Sequence, residues 1–353
     1  MGKFDGVLLA SDFDNTILNT ELPRRTGCPI PPISQRNVEA LRYFMDNGGR
    51  FAVATGRALP AFRMFAEQVP MNAPAVVCNG GALYDFKTER YLETMELPET
   101  IRPQGQDVLD RFPTAAVEAY HMDNVIHAVR PNEYTRQHEH VTHAGVQPVP
   151  TLLEVPMPLI KIMFEDDHEH LLALRDYVNR QPWSADYEVF FSDRTLLEVT
   201  RKGASKGAMV ARLAKRLGIS MDHVYCAGDE NNDLSMLTMA AEGFAPANCV
   251  ESVRSCGATI VADCDHDTLA EIVSILDKRC KASLKICLHS LQHSTSGLLL
   301  ASYLGKSIQL LTLELQHRLQ IQNGTDCSCS RCDPAALFQI FQGFQGNINT
   351  GIK

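Results

Sequence analysis

Four short apolar runs along the chain end in the same way. "GVLLASD" stops at Asp12, "RFAVATG" at Thr55, "PAVVCNG" at Asn79 and "HVYCAGD" at Asp229. None alternates apolar with polar residues, and continuous runs of this kind mark strands buried on both faces of a parallel sheet. Helix-period patterns lie between them. One opens at Ser34 as N-cap, carries Val38, Leu41 and Met45 on one face, and stops at Gly48-Gly49. Another opens at Ser205, carries Met209, Val210, Leu213 and Leu217, and stops at Gly218. The alternation predicts an α/β fold with a doubly wound parallel sheet. Such sheets bind ligands beyond the carboxyl ends of their strands, so the four polar endings are expected to meet in one place.

From about Tyr84 to Asp193 the rhythm changes. "NVIHAVR" and "LIKIMFE" alternate and read as half-exposed antiparallel strands. "HEHLLALRDYVNR" reads as an amphipathic helix, with Asp166 or Asp167 as its cap. "YEVFFSD" and "RTLLEVT" read as a further strand pair near the return to the core. The expected organisation is a first core part over 1–84, an inserted α+β cap over 85–193, a second core part over 194–280 and an extension over 281–353. A cap above the strand ends can act as a lid. The extension is rich in Ser, Gln, Leu and His. It reads as a helical appendage, a disordered tail or non-native sequence.

Composition narrows the function classes. A chain of 353 residues, 45% of them hydrophobic, can bury a sizeable core and form two domains. A net charge of −9 argues against sequence-blind nucleic-acid binding. "MGKFDGVLLASDF" does not read as a signal peptide, since its apolar run is short and bounded by aspartates. The longest apolar stretch is broken by Lys306 and Glu314, so no membrane span is expected. The eleven cysteines are scattered, and Cys78 and Cys226 sit inside apolar runs, which points to reduced thiols and a cytoplasmic protein. Cys327, Cys329 and Cys332 cluster, but without a second ligand pair at zinc spacing.

The chemistry concentrates at the strand ends. Asp12 and Asp14 stand one residue apart at the end of a buried run, and like charges there call for a neutralising partner such as a divalent cation. A second acidic set, Asp229 and Asp233, follows another apolar run. A strand-end turn explains one aspartate but not both sets. Lys206 follows Ser205 at a helix start, where the dipole disfavours a cation. A phosphate bound there would attract both lysine and helix terminus. An exposed helix lysine is the other reading of Lys206, and it suits Arg201 and Lys202 better. Together Asp12, Asp14, Thr16, Thr55, Lys206, Asp229, Asn232 and Asp233 match a metal-assisted phosphoryl-transfer site.

Through "DFDNT", "ATGR", "NGG", "SKG" and "GDENND", in that order, the chain resembles the haloacid dehalogenase-like (HAD) hydrolase superfamily. More closely it resembles the Cof-type sugar-phosphatase branch, with a large cap of the C2B kind. The resemblance covers roughly residues 4 to 278. It implies Mg²⁺-dependent hydrolysis of small phosphomonoesters through an aspartyl-phosphate. Asp12 is then nucleophile and metal ligand. Asp14 carries a proton and acts as general acid, then base, with its backbone carbonyl on the metal. Asp229 is the third protein ligand. Asp233 is a ligand, a support beside it, or an acid at a helix N-terminus. Lys206 binds the phosphoryl group and the Asp12 carboxylate.

The same resemblance groups Thr16 and Thr55 with the phosphate contacts. Thr55 donates its hydroxyl to phosphate or caps a helix, and Gly56 lets the backbone approach. Arg57 holds substrate or ties its loop. Asn79 and Gly80 touch substrate or form an Asn-Gly turn. Asn232 orients phosphate or Asp233. The implied partner is a small phosphorylated metabolite (hexose phosphate, flavin mononucleotide or pyridoxal phosphate), with no nucleic acid and no membrane, and the oligomeric state is left open. A phosphosugar mutase on the same core and a non-catalytic regulatory binding protein are the alternatives. Three departures from the family stand out: Asn15 where glycine is usual, Pro246 in "APANC", and no glycine ahead of the helix in "ADCDHDTLAEIV". His138, His140 and His143 in "HEHVTH" miss the zinc-protease spacing and read as surface histidines. No G-x-x-x-x-G-K motif is present, which argues against a P-loop kinase.

Overall fold

The computed structural model describes residues 2–122 and 124–292. Contacts group the chain into a unit Met1–Lys281 and a unit Ala282–Lys353. Of the latter, only the end of the helix Thr268–Gln292 is described. Cys327, Cys329 and Cys332 lie outside the described residues.

The first strands are β1 (Leu8–Ser11), β2 (Arg50–Val53), β3 (Ala75–Val77), β4 (Ala82–Asp85) and β5 (Arg90–Thr94). The middle of the chain supplies β6 (Ala116–His121), β7 (Ile126–Val129), β8 (Val146–Val149), β9 (Leu159–Glu165), β10 (Tyr187–Asp193) and β11 (Leu196–Arg201). The return to the core adds β12 (Val224–Ala227), β13 (Glu242–Pro246) and β14 (Thr259–Val261). The core sheet runs β14-β13-β12-β1-β2, parallel throughout. Leu9 packs with Phe44 and Phe62 on one face, and Leu8 and Ala10 pack with Met209, Val210 and Leu213 on the other. Helices therefore cover both faces, which is why β1 shows no alternation.

The third apolar run departs from expectation. β3 meets β2 through a single parallel bridge, Ala54 opposite Val76, and otherwise pairs antiparallel with β4. The cause is local. Cys78 and Asn79 both adopt φ 53 and Gly80 adopts φ 90, so the chain reverses at once into a hairpin.

The cap sheet runs β10-β11-β9-β6-β7-β8, so β11 belongs to the cap sheet rather than to the second core part expected from residue 194. One face, with Val117, Ala119, Ile162 and Phe164, packs on the helices Ile101–Arg111 and His168–Asn179. The other face carries Glu118, Tyr120, Lys161, Met163, Glu165 and Glu198, by the two-residue period of the strands. "LIKIMFE" is buried along all its length rather than half-exposed, because this polar face is covered too. The helix Glu133–Thr142 and the core loops cover it.

Local signals hold where they are strongest. Ser34 accepts from Asn37 N–H, Ser205 from Ala208 N–H and Asp167 from Glu169 N–H, each opening a helix as expected. The family departures are accommodated. Asn15 takes φ 53 and its Oδ1 accepts from the N–H groups of Thr20 and Glu21. Asp267 takes φ 62 just before the helix Thr268–Gln292. Both are residue types that tolerate the left-handed region. Pro246 closes β13 opposite Val261, and its carbonyl accepts from Cys249 N–H.

Gly80 is tightly constrained by the backbone beside it. A Cβ there would stand 2.1 Å from the Ser205 carbonyl oxygen, in a backbone conformation that L-residues rarely adopt. The substitution Gly80→Ala is expected to lower unfolding stability by about 2 kcal/mol or more, read as a fall in the urea midpoint.

Candidate active site

The site is assembled where β1 and β12 end. Asp12 follows β1 directly, and its N–H donates to Ala227 O at 2.8 Å. Asp229 lies two residues past β12. Lys206 is the first residue of the helix Lys206–Leu217, and its side chain is only 1% exposed. Its Nζ donates to Asp12 Oδ1 at 2.5 Å and to Asp233 Oδ1 at 2.6 Å. Asp233 Oδ2 accepts from the N–H groups of Asp229, at 2.9 Å, and Glu230, at 3.1 Å. Asp233 thus uses both oxygens to hold Lys206 and the Asp229 loop. Thr16, fully buried, donates to Asp229 Oδ1 at 3.0 Å. Carboxylate oxygens of Asp12, Asp229 and Asp233 lie within 4.8 Å of one another, a set able to hold a metal ion.

Asp14 is gripped by Arg57. Nη2 donates to Oδ1 at 2.7 Å and Nε to Oδ2 at 2.9 Å, a two-pronged pairing. The guanidinium carbon lies 4.9 Å from the Phe65 ring centroid, and Arg57 N–H donates to Thr55 Oγ1 at 3.1 Å. Arg57 therefore both ties its loop and holds Asp14. Burial pushes the Asp14 pKa up, but the charge and hydrogen bonds of Arg57 outweigh it, and Asp14 titrates below its ordinary value. The Arg57 fork favours the carboxylate form of Asp14 in this geometry, whereas the sequence expectation gives it a proton.

The other carboxylates move the opposite way. Burial and then the charge of Asp233 push Asp12 up to about 7, against the pull of Lys206. Burial, Asp12 and Asp233 together raise Asp229 well above its usual range. Burial alone would lower Lys206, but Asp12 and Asp233 raise it overall, so it stays charged. Four aspartates (Asp12, Asp14, Asp229, Asp233) face two cations, Lys206 and Arg57. With all four ionised the surplus is two negative charges, the charge of one divalent ion.

Several residues expected at phosphate are engaged elsewhere. Thr16 orients Asp229. Thr55 is fully buried, with its Oγ1 serving Arg57. Asn79 is buried; its Nδ2 donates to Glu198 Oε2 at 3.0 Å and its Oδ1 accepts from Asn232 Nδ2 at 2.9 Å. Gly80 makes room for the Ser205 backbone and so seats the start of the lysine-bearing helix. Asn232 leaves its buried Oδ1 without a hydrogen-bond partner. Arg201 and Lys202 stay at the surface, bonded to Glu96 O and Glu188 respectively.

Asp12, Asp14, Gly56, Arg57, Asp229 and Asn232 line one side of a cavity of about 520 Å³. The cap lines the other side with Tyr120, Tyr134, His138, Lys161 and Glu198. Lys161 Nζ lies 3.2 Å from Glu198 Oε2, 3.4 Å from Gly56 O and 4.4 Å from the Tyr120 ring centroid. Sequence reasoning missed Lys161 and Glu198. The available signal was a charge set inside an otherwise apolar strand, in "LIKIMFE" and "RTLLEVT". His138 also departs from its surface reading, since it lines the cavity and pairs with Glu118.

A parallel sheet with a carboxylate–lysine cluster at its strand ends and a largely antiparallel cap sheet above defines a capped α/β enzyme architecture. The chain belongs to the haloacid dehalogenase-like hydrolases, whose family profile matches residues 9–273. It is 24% identical over 273 residues to the pyridoxal phosphate phosphatase YbhA of Escherichia coli, covering 75% of this chain and 97% of that protein. It is 22% identical over 284 residues to the 5-amino-6-(5-phospho-D-ribitylamino)uracil phosphatase YitU of Bacillus subtilis, covering 75% and 96%. Among solved structures, a haloacid dehalogenase-like hydrolase from Bacteroides thetaiotaomicron superposes with a TM-score of 0.67 at 21% identity, covering 76% of this chain and 99% of the other.

The Asp14–Arg57 pair carries a pH signature. A carboxyl whose folded pKa is lowered contributes stability at pH above its unfolded value, about 4. That contribution is lost as pH falls through the lowered folded value. Arg57→Gln removes the cause of the lowering. The variant is expected to show a shallower loss of Tm below pH 4 than the parent, measured in scans across acid pH.

Proposed function

We propose that this protein is a Mg²⁺-dependent phosphatase of small phosphorylated metabolites, acting through an aspartyl-phosphate on Asp12. The observation that carries the reading is the Asp12 carboxylate, held by Lys206 at the wall of a half-open cavity, in a cluster whose aspartates outnumber its cations by two. Asp12 and Asp229 would hold the ion with the Asp14 carbonyl, and the unpartnered Asn232 Oδ1 offers a further oxygen nearby. Bound Mg²⁺ would offset the repulsion between a phosphate dianion and a carboxylate. Asp233 supports this set rather than joining it, because its oxygens are already committed.

The chain's own residues then divide the work. Asp12 Oδ attacks phosphorus, and the bond from phosphorus to the leaving oxygen breaks. Asp14 gives that oxygen a proton. Water next attacks phosphorus, Asp14 takes its proton, and the bond to Asp12 breaks to release phosphate. Asp14 must therefore exchange the Arg57 fork for a proton when substrate is seated. Lys206 keeps Asp12 ionised and adds positive charge beside the transferring group. Lys161 and Glu198 face the leaving group from the cap. The relatives' names support pyridoxal phosphate or a phosphorylated ribityl compound as substrate types, and sugar phosphates fit the same polar cavity. The buried free thiols Cys78 and Cys226 support a cytoplasmic setting.

Phosphate release from a panel of phosphomonoesters, with and without Mg²⁺, tests the reading. The wild type should release phosphate only with Mg²⁺, and Asp12→Asn should lower the rate by ~10⁴-fold or more. A folded wild type that releases none from the whole panel would sink it.

A further inference from the structure

The cap holds a second cluster of ionisable groups that the core chemistry leaves unused. Glu118 on β6 and Glu165 on β9 are diagonal neighbours on one face of the cap sheet, since Ala116 pairs with Glu165 and Glu118 with Met163. Both are sealed from solvent, at 1% and 0% exposure. His138, from the helix Glu133–Thr142, brings Nδ1 to 3.1 Å from each Glu118 oxygen and 3.7 Å from Glu165 Oε1. One ligand atom from each of the three lies within 4.8 Å of the others.

The outer atoms of the cluster are already held. Tyr120 OH donates to Glu118 Oε2, and Thr135 Oγ1 donates to Glu165 Oε2 at 2.5 Å. Such outer contacts are what orient the ligands of a metal centre. The remaining oxygen, Glu165 Oε1, is buried, lacks a hydrogen-bond partner and is turned toward the other two groups. Two sealed carboxyl groups share one imidazole, which leaves negative charge to be neutralised by a proton or a cation.

We propose that Glu118, His138 and Glu165 form a binding site for a divalent transition ion of the Mn²⁺ type, separate from the aspartate cluster of the core. Two carboxylate oxygens and one imidazole nitrogen suit such an ion. The nitrogen ligand speaks against Mg²⁺, and the absence of a thiolate from the trio speaks against a soft metal. Three protein ligands leave coordination positions for water or for an oxygen of a bound molecule. His138 lines the cavity, so an ion held here places positive charge on its cap side, beside the leaving group of the proposed reaction.

The test is Mn²⁺ binding to the full chain, with free Mn²⁺ read by its electron paramagnetic resonance signal. The wild type should bind two equivalents, one in the core and one in the cap. Asp229→Asn should keep the cap equivalent. Glu165→Gln and His138→Gln should lose it and keep the core equivalent, which also shows that these variants are folded. If the core binds no ion, the wild type binds one equivalent that the cap variants lose while keeping the wild-type circular dichroism spectrum, so failure of the phosphatase reading is distinguishable from failure of this one. The cap site is overturned if the cap variants bind as much Mn²⁺ as the wild type, or if Asp229→Asn binds none. The trio is then a carboxyl pair sharing a proton.

Discussion

The Lys206 ammonium between Asp12 and Asp233 is the interaction on which the rest of the structure depends. It joins three segments far apart in the chain, at full burial. Desolvation takes back most of what such ion pairs gain, so the triad adds little net stability. Its effect is positional: a misplaced partner would leave a charge buried alone. Neighbouring residues show the demand. Gly207 admits the Ser235 carbonyl, and Gly228 admits the Asp233 carboxyl, in places where a Cβ would lie 2.2 Å and 2.4 Å from an atom. The glycines around the cluster thus exist for close approach rather than for flexibility.

Local signals made much of the fold legible. The N-caps Ser34, Ser205 and Asp167 act within three residues of themselves, so sequence alone carries them. The parallel strands were legible because burial on both faces leaves a run without alternation. β3 was misassigned because a strand's direction is set by the turn after it; Asn79-Gly80 signals that turn, but the left-handed Cys78 that starts it one residue earlier carries no such mark.

The site was legible by residue type and less so by direction. Asp12, Asp229 and Lys206 sit at element ends, so their convergence follows from topology. Thr16 and Thr55 have the right chemistry and position for phosphate, yet their hydroxyls point to Asp229 and the Arg57 backbone. The charge state of Asp14 depends on a guanidinium 43 positions away, and no spacing rule reports that. Lys161, Glu198 and the Glu118–Glu165 pair needed the cap register, which places alternate residues of β6, β9 and β11 on one face.

Asn79 binds Glu198 of the cap with one end of its amide and Asn232 of the core with the other. The consequence is evolutionary. A cap cannot be traded between lineages as a free cassette. An incoming cap that lacks an acceptor in the place of Glu198 strands the Asn79 amide, and the disturbance passes to the loop that bears Asp229 and Asp233. An exchanged cap therefore has to bring an acceptor for the Asn79 amide, as Glu198 does here, and a partner for the Gly56 carbonyl, as Lys161 does.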